Sequence, residues 1–223
     1  RFVLADDSFA FDGYSPSSQP MGGPEKAFAS VAGALAQRGH EVLVFNRTSY
    51  GLECDGAKWE PIDKEKPAEC DVLVAMRLPR LLDTVATARR RILWCTGDLS
   101  LLAGAENEEI LGRHRPLVLF FSAAHLKRWG NPLGLEARVF APGLASSFLG
   151  DEAMRCYDPP RAVTTAHPQS GLGWILTLWI DRIRPAVPNA ELHVYSAHLN
   201  RGIFGSDVPP QVKPLVDLVQ AAR

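Results

Sequence analysis

Gly22-Gly23-Pro24-Glu25 places a glycine pair directly ahead of a run whose apolar residues recur at helical spacing. Glycines let backbone N–H groups approach a phosphate closely, and a helix N-terminus adds a favourable dipole. The same residues also suit an ordinary loop and helix start. Further on, Cys95-Thr96-Gly97-Asp98 follows the apolar run Arg91 to Trp94. Asp98 could orient an acceptor hydroxyl or act as a base, or it could cap a helix running through Leu101. Cys95 has no assignable histidine partner or helix start, so it reads as a buried structural thiol rather than a nucleophile. In the last third, His167-Pro168-Gln169-Ser170-Gly171 follows another apolar run. There His167 is placed to meet a phosphate or a sugar, the alternative being a solvated loop histidine.

Other residue types say what chemistry not to expect. No G-x-G-x-x-G follows a strand-like run, which argues against a dinucleotide cofactor. None of the six histidines forms an H-x-x-x-H pair with a nearby acid, so no metal site is expected. His40, at a helix-strand junction, reads as a packing residue. Trp174 and Trp179 read as one ring against the sheet and one at the domain edge, core rather than a sugar-stacking platform.

These stretches need elements to hold them. Phe2 to Ala5 reads as a buried strand, 6–23 as a long polar loop, and Pro24 onward as a helix through Phe28, Val31 and Leu35 that stops at Gly39. Glu41 to Phe45 then reads as a parallel strand, completing a right-handed βαβ unit. The alternation goes on with strands at Trp59 to Ile62, Asp71 to Ala75, Arg91 to Trp94, Leu117 to Phe121 and Ala137 to Phe140. Helices are expected around Leu81 to Arg89 and from Ala123 to Trp129. This order predicts a doubly wound parallel α/β sheet, Rossmann-like, whose ligand lies at the strands' carboxyl ends. The predicted organisation is a first domain over 1–150, a linker over 151–160 ending in Pro159-Pro160, and a partial second domain over 161–223. That second part has a strand from Arg161 to Ala166, a helix through Trp174 and Leu178 to about Ile183, a strand from Glu191 to Tyr195 and a helical segment from Val212.

The chain has 223 residues, 46% of them hydrophobic, enough for one full domain and part of another. Its 24 basic and 25 acidic residues nearly cancel, which gives no global field for nucleic acid or an anionic membrane. The four cysteines are scattered, so reduced thiols in a cytoplasmic protein are the simplest account. No apolar run reaches the roughly 18 residues needed to span a bilayer. The sequence therefore reads as a soluble, cytoplasmic protein, with peripheral contact at the inner membrane face left open.

The run GGPEKAFASVAGALAQRGHEVLVF resembles the N-terminal βαβ unit of family 4 glycosyltransferases of the GT-B fold, in which a Gly-Gly-x-Glu loop leads a helix ending in Arg-Gly-His-Glu-Val. RILWCTGD, FFSAAHLKRWG, RVFAPGL and HPQSGLGWILTLWIDRIRPAVPNAELHVY resemble further family stretches in the same order, so that the likeness covers nearly the whole chain. The resemblance implies two Rossmann-like domains facing across a cleft, with a nucleotide sugar as donor and a sugar, lipid or protein as acceptor. It implies retaining transfer without an obligatory metal. Gly22 and Gly23 would face the donor phosphates, Glu25 would shape the cleft, and His167, Ser170 and Gly171 would form the second-domain loop. Ser170 stands where the family has a basic phosphate-binding residue, and Ala166-His167 replaces its Gly-Arg. Where many relatives carry a histidine-acid pair, only Asp98 remains. The family's Glu-x7-Glu is expected beyond residue 223.

The expectation is thus a glycosyltransferase, truncated and inactive in this form. Its alternatives are a non-catalytic GT-B-like binding or scaffold module and, lower, a nucleotide-sugar epimerase of GT-B shape. A homo-oligomer or a partner completing the second domain is left open.

Overall fold

A computed structural model describes residues 1–144, 149 and 157–221. The chain forms two compact units, Arg1–Leu149 and Gly150–Arg223.

The first unit is built on β1 (Phe2–Ala5), β2 (Val42–Asn46), β3 (Leu52–Cys54), β4 (Ala57–Pro61), β5 (Glu69–Met76), β6 (Thr87–Cys95), β7 (Leu117–Phe120) and β8 (Ala137–Val139). They form one eight-stranded sheet in the order β3-β4-β2-β1-β5-β6-β7-β8. All neighbours are parallel except β3 and β4, an antiparallel hairpin at one edge. The order reverses at β1, so the crevice between the carboxyl ends of β1 and β5 is the topological switch point of a Rossmann-like α/β fold.

Helices α1 (Ser15–Ser18), α2 (Gly23–Gln37), α3 (Ala105–His114) and α4 (Ala123–Trp129) connect the strands. Side chains alternate across the sheet with period two. Leu4, Val42, Val44, Val74, Met76 and Trp94 pack with Phe28, Ala29 and Ala32 of α2 on one face. Ala5, Ala75, Leu93, Val118 and Phe120 pack with Leu81, Leu82, Ile110 and Leu111 on the other. Burial on both faces is why these strands read as continuous apolar runs. Helix α2 begins with Pro at its second position and is followed by Gly39 at φ 86°, a left-handed turn that suits glycine.

Several sequence expectations are corrected. The segment expected as a helix around Leu81 to Arg89 is a single 3-10 turn, Pro79–Asp83, after which Thr87 already belongs to β6. Seven paired positions with β5 hold this part extended. The hairpin strand β3 and helix α3 were not anticipated. Nor was the helix Ala197–Ile203 in the second unit.

The second unit pairs β9 (Arg161–Thr164) and β10 (Glu191–Val194) in parallel. Between them runs a helical stretch from Pro168–Leu172 through α5 (Gly173–Leu178) and Trp179–Ile183 to α6 (Arg184–Ala186). Helices α7 (Ala197–Ile203) and α8 (Lys213–Ala221) follow. Leu172, Leu176, Leu199, Val208, Val212 and Val216 form its core. Trp174 is 69% exposed and Trp179 half-buried, so neither of the two tryptophans, one of which was expected against the sheet, is a buried core residue. The expected linker falls mostly outside the described residues.

Candidate functional site

In the first unit the switch-point crevice is walled by the residues that follow β1, β2, β5 and β6 and by the start of α2. Asp6 continues β1, its N–H donating to the Phe45 carbonyl at 3.0 Å. Its side chain turns away from water, leaving the residue 1% exposed. The carboxylate accepts from Ser8 Oγ at 2.5 Å and from Ser8 N at 3.2 Å. Burial pushes the Asp6 carboxyl above the usual carboxylate range; the Ser8 hydrogen bonds and the charge of Arg77 only partly offset this, and Glu25 adds to it. Asp7, the next residue, goes the other way. Burial raises it too, but Arg80 and Arg47 outweigh that and hold it below the usual range. Arg47 Nε lies 2.6 Å from Asp7 Oδ1, and Arg80 pairs with Oδ2.

Arg77 sits at the centre of this group. It follows β5 with φ 66°, a left-handed conformation rare for a side-chain-bearing residue. That conformation directs the guanidinium across the crevice. Nε donates to Thr96 Oγ1 at 2.9 Å, just after β6, while Nη2 pairs with Glu25 of α2. The pair is largely shielded, with side-chain exposures of 17% for Arg77 and 8% for Glu25. Nη1 makes no hydrogen bond among the described residues, so the fork keeps donors to offer.

Gly22 is the N-cap of α2, and Glu25 is three positions in. A Cβ on Gly22 would sit on Glu25 Oε2, whereas one on Gly23 would meet nothing within 4 Å. The missing side chain of Gly22 therefore makes room for the carboxylate of its own helix. Gly22, Gly23 and Glu25 are brought together with Arg77 and Thr96.

Asp98 lies on the same sheet edge, two residues beyond Thr96, and is exposed. It caps the 3-10 turn Leu99–Leu102, its Oδ1 accepting from Ser100 N at 2.9 Å. That hydrogen bond holds its carboxyl below the usual range, so Asp98 is ionised and a weak base. Cys95 is buried, and desolvation pushes its thiol up to about 12. It is no nucleophile in this setting. On the α2 side, Trp94, Phe121, Phe140 and Leu144 line a groove of ≈ 590 Å³ that reaches Gly23 and Lys26.

In the second unit His167 is exposed and caps the turn Pro168–Leu172, its Nδ1 accepting from Gln169 N at 3.2 Å. Gly171 has φ 93°, a conformation that favours glycine. The Ser170 side chain lies outside the described residues.

The sequence reading missed Arg77 and Asp6. Asp6 could have been found as an acid directly after a buried strand at the predicted switch point. Arg77 has no such signal, because the paired Glu25 is 52 positions away. Among the described residues no group of three or more His, Cys, Asp or Glu is placed to hold a metal ion. Against known protein families, curated proteins and solved structures, the chain finds no match.

Proposed function

We propose that the switch-point crevice of the first unit binds the phosphates of a nucleotide sugar, and that the protein transfers the sugar to a sugar, lipid or protein acceptor. The supporting observation is Arg77. It brings a largely shielded guanidinium to the start of a 15-residue helix, at the crevice where open α/β sheets take their ligands. Charge developing on a leaving diphosphate would be met by the free edge of that fork and by the first N–H groups of α2. Arg77 thereby supplies in the first unit a cation of the kind that Ser170 does not supply in the second. Retention and metal independence come with the family resemblance.

Calorimetric titration with uridine, guanosine and adenosine diphosphates, followed by a donor-dependent transfer assay, tests this reading. Arg77→Ala is expected to weaken diphosphate binding by ~10-fold or more, since charge-assisted hydrogen bonds contribute about 1.5–3 kcal/mol. Absence of binding by every nucleoside diphosphate would sink the proposal. A second reading, a binding module without turnover, is favoured by Asp98, whose carboxylate serves as a cap. Binding without transfer to any acceptor would select it.

A further inference from the structure

Resting on the reading of the crevice as an anion site, we propose that Glu25 is its internal competitor: the Glu25 carboxylate takes the place at Arg77 and over Gly22 that an incoming diphosphate needs. A glutamate three positions into a helix commonly reaches back to the N-cap N–H. Glu25 instead pairs with Arg77 through Oε1, and its second oxygen lies where a Gly22 side chain would begin. One carboxylate therefore covers both attractions that a phosphate would use, the guanidinium and the start of α2. Two carboxylates, Glu25 and Asp6, face a single guanidinium here, with Ser8 and Thr96 as neutral neighbours. An anion can engage Arg77 fully only by displacing Glu25, which makes the crevice selective for ligands carrying more negative charge than one carboxylate. Removing the competitor should then have opposite effects on stability and affinity, because it leaves Arg77 less well paired and more available.

The test uses inorganic diphosphate as probe, with calorimetric titration and thermal melts of wild type, Glu25→Gln, Glu25→Asp, Asp6→Asn and Arg77→Ala. Glu25→Gln is expected to bind ~10-fold more tightly than wild type while melting at a lower temperature, with diphosphate restoring the melt. Glu25→Asp keeps the charge but is one methylene too short to span to Arg77. It is expected to tighten binding by ~3-fold and serves if Glu25→Gln does not fold. Asp6→Asn removes a nearby charge without releasing Arg77 and should change affinity less than either. Equal or weaker binding by both Glu25 variants, or an Asp6→Asn effect as large as theirs, overturns the competitor while leaving the anion site intact. If wild type and Glu25→Gln both fail to bind, or Arg77→Ala binds as wild type does, the anion site itself is wrong and the competitor falls with it.

Discussion

Asp6 and Asp7 are adjacent in sequence and opposite in behaviour, and the difference lies in their partners rather than their chemistry. Asp6 is buried with a serine and has its carboxyl raised, whereas Asp7 is gripped by two arginines and has it lowered. A raised folded-state value means that ionised Asp6 opposes folding once the pH rises past the unfolded carboxylate range, near 4. Asp6→Asn is therefore expected to raise the melting temperature at pH 7, by ~2–4 °C for about 1 kcal/mol in a chain of this size, and to lose that gain as the pH falls towards 4. Asp7 has the opposite sign, its contribution being present above that range and lost as the pH falls through its lowered folded value. Melts of Asp7→Asn should show a loss at pH 7 that shrinks on acidification. For Cys95, whose thiol is pushed up to about 12, iodoacetamide at pH 8 should leave its peptide unlabelled in native protein and label it after denaturation, as mapped by mass spectrometry. The helix start at Gly22, Gly23 and Glu25 was legible because it is a local pattern. Arg77 was not, since its left-handed backbone and its distant partner leave no mark on its neighbours in sequence.

The strands and α2 were legible for a physical reason: burial on both sides writes an apolar run, and burial on one side of a helix writes a stripe. Misreadings fall where long-range pairing decides. Arg91 illustrates this. Its guanidinium donates to the carbonyls of Leu82, Val85, Ala86 and Ala88, tying the irregular segment before β6 to the strand itself. Nothing in the residues 81–89 announces that grip, and their apolar spacing resembles a helix. Arg91→Lys cannot serve four carbonyls with one ammonium, so a loss of about 1–3 kcal/mol in denaturant unfolding is expected, close to that of Arg91→Ala. Phe28 gives the contrasting case, as its ring is fully buried among Phe11, Trp59 and Trp94. Phe28→Ala should cost about 3–5 kcal/mol, and its failure to do so would mean that α2 is not seated on this face.

Across the molecule, the sheet order places a long loop and a short edge hairpin on the same flank of the first unit. The loop after β1 crosses to that hairpin before returning to α2: Phe11 packs edge-on against Trp59, and the Tyr14 hydroxyl donates to the Glu53 carbonyl at 3.4 Å. A Cβ on Gly13 would lie 2.7 Å from Cys54 Sγ and 3.2 Å from Trp59 Nε1. Asn46 fixes the middle of the loop by donating to the Phe11 carbonyl. Among the described residues the hydrogen bonds of Arg77 run to Glu25 and Thr96 and not to the hairpin, yet the loop that leads from Asp6 to the start of α2 is cast against it. An edge hairpin can change length or sequence without disturbing the parallel strands inside it. It is therefore a place where ligand preference could drift between descendants of this chain while the charged centre stays as it is.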